Sequence, residues 1–237
     1  MRTLVACLAA SLPLHATAHD LITAESTQTY LAAVAASQKS IASKEPAARR
    51  ALAHLDLGKI LEEIRELMNR ELAAHGKVQG LPSNYLVAEL QRQGVPLAWS
   101  EKRRRFSADT RHFEQALALA PRGPLATDAG LRLLLGRFYD SFESDPLAAE
   151  ESWPQLAAQI ALAEGLAERD LPGDAREEVE FIGAILHARA SLRAPDAGAR
   201  RSHGRRAREA IAAFEARYPD SLRRALMPLL RETLDKN

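Results

Sequence analysis

The spacing of the water-avoiding residues constrains this chain most. In the stretch HFEQALALAPRGPLATDAGLRLLLGRFYDSF, residues 112–142, Leu131, Leu134, Leu135, Phe138 and Phe142 stand at i, i+3, i+4, i+7 and i+11. That period lines one face of an α-helix and no face of a strand. It recurs in Ile60, Ile64, Leu67 and Met68, with Glu62, Arg65, Glu66 and Arg70 mostly opposite. It recurs again in Val179, Ile182, Ile185 and Leu186, and in Ala207, Ala210, Ile211, Phe214 and Tyr218. Each stripe is stable only when turned from water against another helix. Aromatic residues make up 5% of the chain and alternating Val, Ile, Thr and Tyr runs are scarce, so a sheet has little to be built from.

The breaks between stripes carry matching chemistry. HGKVQGLPSN (75–84) holds two glycines and a proline before Ser83 or Asn84 as a helix cap. In ESWPQ, Ser152 with Gln155 three residues on forms a capping box, and Pro154 sits in the first turn, where its missing N–H costs nothing. In YPDSL, Pro219 ends one helix and Asp220 or Ser221 caps the next. The pattern predicts helices over 23–42, 46–55, 58–75, 83–93, 108–120, 124–143, 153–169, 174–194, 200–217 and 221–235. Short breaks force neighbouring helices to run antiparallel. The expected fold class is therefore all-α, with helical hairpins stacked side by side. The least regular stretch, QRQGVPLAWSEKRRRFSAD (91–109), separates an expected N-terminal helical region, 19–95, from a second region, 96–237.

The first residues, MRTLVACLAASLPLHATAHD, place Arg2 before an apolar run from Leu4 to Leu14 and end on Ala16-Thr17-Ala18. This is the layout of a secretory signal peptide cut after Ala18, so a periplasmic location is expected. LVAC around Cys7 spells a lipoprotein attachment site, but only six residues precede it, and Cys7 is read as part of the discarded leader. Cys7 is the one cysteine of the chain, so the mature form would hold no disulfide. Loss of Arg2 takes 32 basic and 31 acidic residues to 31 and 31. A neutral exported chain is not expected to bind nucleic acid, and no later apolar run is long enough to predict a transmembrane span.

In the opening stretch Phe113, Ala116 and Pro121 stand at F-x2-A-x4-P. This resembles the end of the second helix of a tetratricopeptide repeat, where the aromatic and the small residue pack between helices and the proline ends the helix. The segment AREAIAAFEARYPDSLRRAL (207–226), through Ala210, Phe214, Tyr218, Pro219 and Ser221, is similar to the variant found in tetratricopeptide-like helical repeat proteins of the bacterial envelope. The resemblance implies a stack of helical hairpins whose concave face holds a peptide or a protein partner.

Catalytic apparatus is not visible. The chain has no G-x-S-x-G, no phosphate-cradling glycine loop and no HExxH, and no catalytic residue, metal ligand or cofactor is expected. His54, His75, His112, His187 and His203 show no i, i+4 pairing, and His187, in an apolar helix, reads as a satisfied core residue. His19 would be the first mature residue and offer an amino group beside an imidazole, as in some copper enzymes, but those resemble β-sandwiches. ESTQ, FESDP and EESWP resemble the Glu-Ser opening of the lytic transglycosylase motif without its later segments, which leaves Glu143 and Glu151 as turn and cap residues. Two basic clusters remain, Lys102, Arg103, Arg104 and Arg105, and Arg200, Arg201, Arg205, Arg206 and Arg208. Arg outnumbers Lys 26 to 6, so solvated arginine faces are common here. Trp99 and Phe106 flank the first cluster, which makes Trp99 and Lys102 to Arg105 the better candidate contact site for an anionic surface or an acidic partner. The expected function is a non-enzymatic protein- or peptide-binding scaffold of the periplasm. A glycan-active hydrolase or lyase and a small-molecule carrier with an apolar pocket stay open as alternatives, and the oligomeric state is not legible.

Overall fold

A computed structural model describes residues 22–77, 81–141, 147–148 and 151–236. The expected leader 1–18, with Cys7, and also His19, Phe142 and Glu143 lie outside the described residues. The elements are α1 (Ala24–Ala42), α2 (Ala47–His75), α3 (Leu81–Arg92), β1 (Trp99–Ser100), β2 (Arg105–Phe106), α4 (Arg111–Leu119), α5 (Pro124–Ser141), α6 (Trp153–Ala167), α7 (Gly173–Arg193), α8 (Ala197–Arg217), a 3₁₀ turn (Leu222–Leu226) and α9 (Met227–Asp235). The fold is all-α, and nine α-helices lie among the described residues. No helix among them is long and apolar enough to cross a membrane.

Helix ends follow local chemistry. Thr23 and Ser26 form a capping box at the start of α1. Gly76 ends α2 in the left-handed conformation, at φ 70°, which a residue with a Cβ adopts only under strain. Ser152 and Gln155 form the expected capping box of α6, with the Ser152 N–H donating to Gln155 Oε1 at 2.8 Å. Asp196 Oδ1 accepts from the Ala199 N–H at 2.7 Å at the start of α8. Ser221 caps the 3₁₀ turn through its Oγ, which accepts from the Arg223 N–H at 3.1 Å.

Three expectations change. The helices predicted over 46–55 and 58–75 are one helix, α2, running straight through Gly58. Gly58 is no breaker: a Cβ there would lie 2.6 Å from Cε1 of Phe113, so the glycine opens α2 for that ring. Ser83 is not a cap. It is buried inside α3, where its Oγ donates to Glu71 Oε1 at 3.1 Å. The helix predicted over 221–235 is a 3₁₀ turn followed by α9, because Pro228 has no N–H to bond back to Arg224 and an α-helix must start afresh around it.

The chain divides into two compact units, one within His15–Gly136 and one within Arg137–Asn237, and the division falls inside α5. In the N-terminal unit Leu57, Leu61, Ile64 and Met68 of α2 form the buried stripe, joined by Leu31 and Val34 of α1, Leu86 and Leu90 of α3, and Phe106. Ile60 and Leu67, read from sequence as part of the stripe, are partly buried at its edge. Ala51, Leu55 and Gly58 face another side of α2, where α4 packs Phe113 and Ala116. Lys59 bonds Asp128 at 2.5 Å and Arg132 bonds Glu62 at 2.7 Å, tying the first part of α5 to α2. In the C-terminal unit α7 is the central helix, with α6, α8 and α9 packed on it. Val179, Ile182, Ile185 and Leu186 are buried as their spacing requires, and so are His187 and Arg189. A polar side chain on so enclosed a helix must find partners within the protein.

Candidate functional site

Across α6, α7 and α8 runs an open groove of about 230 Å³. Its floor is built of small residues: Ala163 and Ala167 from α6, Gly183 and Ala184 from α7, Ala210 and Ala213 from α8. Small side chains on three adjacent helices leave a furrow that larger ones would fill. On α7 the groove takes Glu180, Gly183, Ala184 and His187, which at i, i+3, i+4 and i+7 form one row of the helix. Glu180 pairs with Arg217 at one end of that row. At the other end stand His187 and Glu164, and Glu164 bonds Arg206 at 2.8 Å. The walls are therefore apolar and the rim charges are paired.

Gly183 is unlike Gly58. A Cβ added to Gly183 meets nothing within 4 Å, and its φ is not positive. A mid-helix glycine lowers stability by roughly 0.5–1 kcal/mol relative to alanine. Neither the fold nor the backbone geometry requires one here, and the space it leaves is the groove itself.

His187 of α7 and His203 of α8 meet with their Nδ1 atoms 3.0 Å apart. Their ring centroids are 5.2 Å apart, about one ring diameter more than the nitrogen separation, so the two rings point at one another. One Nδ1 donates its hydrogen and the other accepts. Glu164 Oε1 lies 3.4 Å from Nε2 of His187, and Trp153 makes a T-shaped contact with His203, centroids 5.9 Å apart. Burial holds both histidines below their ordinary pKa. For His187 the neighbouring ring and Arg206 push the same way and Glu164 opposes; for His203 Arg206 pushes the same way and Glu164 again opposes. The N-terminal unit contains a second such pair, His54 of α2 and His112 of α4, with Nδ1 atoms 3.1 Å apart and centroids 5.4 Å apart. The missing i, i+4 spacing hid both pairs, because each joins two helices. One signal was available: His187 and His203 lie eight residues either side of Pro195, in the α7–α8 break, and an antiparallel hairpin sets such positions opposite each other.

Glu151 is buried and pinned. Arg189 and Arg193 each bring a guanidinium nitrogen to 3.4 Å from its Oε1. Arg189, itself fully buried, also lies 5.1 Å over the Phe138 ring. A carboxylate bound to two guanidiniums inside the unit is an anchor, with no open side toward a glycan.

The candidate contact residues Trp99, Lys102, Arg103, Arg104 and Arg105 are brought together by a β-hairpin. Trp99 pairs with Phe106 and Ser100 with Arg105, and the cations occupy the turn and its shoulder, with Arg104 at φ 48°. Asn69 of α2 holds the hairpin by both ends of its amide, donating to the Phe106 carbonyl and accepting from the Phe106 N–H, each at 2.8 Å. Phe106 is buried in the core while Trp99 is 42% exposed, with the rings edge to face. Lys102, Arg103 and Arg105 are already engaged in contacts of their own. Of the residues matched to the repeat pattern, Phe113, Ala116 and Phe214 are buried, while Ala210 is half-buried on the groove floor. Tyr218 packs on Phe214 at the end of α8, with Pro219 following, and Pro121 follows α4. No protein-family model, curated protein or solved structure matches this chain.

Proposed function

We propose that this chain is an exported, non-enzymatic binding scaffold of the cell envelope, of tetratricopeptide-like build, which holds a segment of a protein partner in the groove of α6, α7 and α8. The observation that carries the reading is Gly183: a glycine kept in the middle of a 21-residue helix, with no clash to avoid, on the floor of an open furrow. Glycine at such a place lets another backbone approach closely. The size of the groove favours a peptide over a carried small molecule. About 230 Å³ admits one or two apolar side chains, whereas sites that engulf a small molecule hold roughly 300–1,000 Å³. Export rests on the leader-like layout of residues 1–18.

The test is photocrosslinking in intact cells from a probe at Ala213, in the groove, against a probe at the exposed Glu232 of α9, a helix that contributes nothing to the groove lining. A partner captured from Ala213 but not from Glu232, and lost when Gly183→Leu fills the furrow, supports the reading. Equal capture from both positions, or capture that survives Gly183→Leu, overturns it.

A further inference from the structure

The geometry points to a proton-operated latch between α7 and α8: His187 and His203 hold the two helices together while one hydrogen lies between their Nδ1 atoms, and release them when each Nδ1 carries its own. The alignment of the rings distinguishes this from a metal chelate. A metal bound by both nitrogens sits off the line joining them, and each ring must then turn its lone pair toward that point. Here the centroid separation of 5.2 Å at an Nδ1–Nδ1 distance of 3.0 Å sets both lone-pair axes nearly along that line, the arrangement of an N–H···N bond. No group of three or more His, Cys, Asp and Glu side chains among the described residues suits a metal ion.

The surroundings decide the order of protonation. Glu164 of α6 faces Nε2 of His187, so the hydrogen of neutral His187 belongs on Nε2, and its Nδ1 accepts from Nδ1–H of His203. The free lone pair of the pair is then Nε2 of His203. A first proton enters there and leaves the Nδ1 bond intact, now donated by an imidazolium. A second proton has to enter at His187 Nδ1, where it removes the acceptor and sets two cations side by side. Among the described residues, the charged groups acting on the two rings are Glu164 of α6 and Arg206 of α8; none of α9 is among them. Glu164 already serves Arg206 at 2.8 Å, so one carboxylate faces three cations once both rings are charged. The pair therefore tolerates one extra proton and opens on the second.

Because α8 supplies Ala210 and Ala213 to the groove, release would loosen a bound segment; that consequence rests on the groove reading, whereas the latch is tested on the free protein. Imidazole ¹⁵N NMR from about pH 7.5 to about pH 4.5 follows each ring, and amide hydrogen exchange follows α7 and α8. The expected result is that His203 titrates first, His187 at clearly lower pH, and that intrinsic-rate-corrected exchange in the facing halves of α7 and α8 rises about tenfold or more across the second step alone. In His203→Gln, whose amide still donates to His187 Nδ1 without titrating, that acid-induced rise disappears. Two rings titrating independently near the ordinary histidine value overturn the proposal. So does unchanged α8 protection with both rings charged, or a shift of both Nδ1 resonances by micromolar Zn²⁺ at neutral pH, which would make the pair a metal site. The wild-type titration alone decides the case if His203→Gln does not fold.

Discussion

The same substitution at two glycines should act with opposite sign. Gly58 and Gly183 both sit inside long helices with ordinary backbone angles, and in such places Gly→Ala stabilises by about 0.5–1 kcal/mol because the unfolded chain loses freedom. At Gly183 the new methyl meets nothing within 4 Å, so that full gain is expected. At Gly58 the methyl would stand 2.6 Å from Cε1 and 2.9 Å from Cδ1 of Phe113, a ring that is 2% exposed. Overpacking of this kind costs about 1–3 kcal/mol, so the net effect is a loss of about 1 kcal/mol or more. Phe113→Leu shortens the offending side chain, and the double variant Gly58→Ala/Phe113→Leu should be more stable than the sum of the singles by about 1 kcal/mol. The two tryptophans separate the units: Trp99 reports the N-terminal one in a Trp153→Phe background, and Trp153 the C-terminal one in a Trp99→Phe background. Urea midpoints at unchanged slope measure the difference. If Gly58→Ala stabilises as much as Gly183→Ala, Phe113 does not press on α2 and the packing of α4 described above is wrong.

Three further outcomes are expected. Arg189→Ala removes one of the two guanidiniums from the buried Glu151 carboxylate and should cost the C-terminal unit about 3–5 kcal/mol by Trp153 fluorescence, with part regained in Arg189→Met/Glu151→Gln; a loss below about 1 kcal/mol would refute the anchor. Asn69→Ala removes both hydrogen bonds to the Phe106 backbone and should cost the N-terminal unit about 1–3 kcal/mol while leaving the Trp153 midpoint unmoved. Burial holds His54 and His112 below their ordinary pKa, with Arg50 adding to the effect on His54 and the His54 ring adding to that on His112. As pH falls through about 6.5 the unfolded chain takes up protons first, so stability is full above that value and is lost below it. The urea midpoint reported by Trp99 should fall between about pH 7.5 and about pH 5, less steeply in His112→Gln; a flat profile in the unaltered protein would refute the pairing.

Helices announce themselves through residues that avoid water one by one, and the stripes at Ile64 and Met68, at Val179 to Leu186 and at Ile211 and Phe214 are buried where their period puts them. Local chemistry was legible for the same reason: Ser152 with Gln155, and Ser221, act on atoms within three residues of themselves. The break expected between 55 and 58 is absent, and the reason for a glycine at 58, the ring of Phe113, lies on another helix. Ser83 was misread as a cap because Glu71 was out of sight.

What the amino-acid order determines alone, then, is which faces must leave water and where the backbone stops being helical. Which face meets which was decided in three dimensions. Antiparallel packing brought His187 to His203 and folded two basic residues over Glu151, and the small residues of three separate helices became one furrow. Hydrophobicity is a property of a residue and can be read in a line; a hydrogen bond, an ion pair or a groove belongs to two or more residues and exists only at a distance the tertiary fold sets.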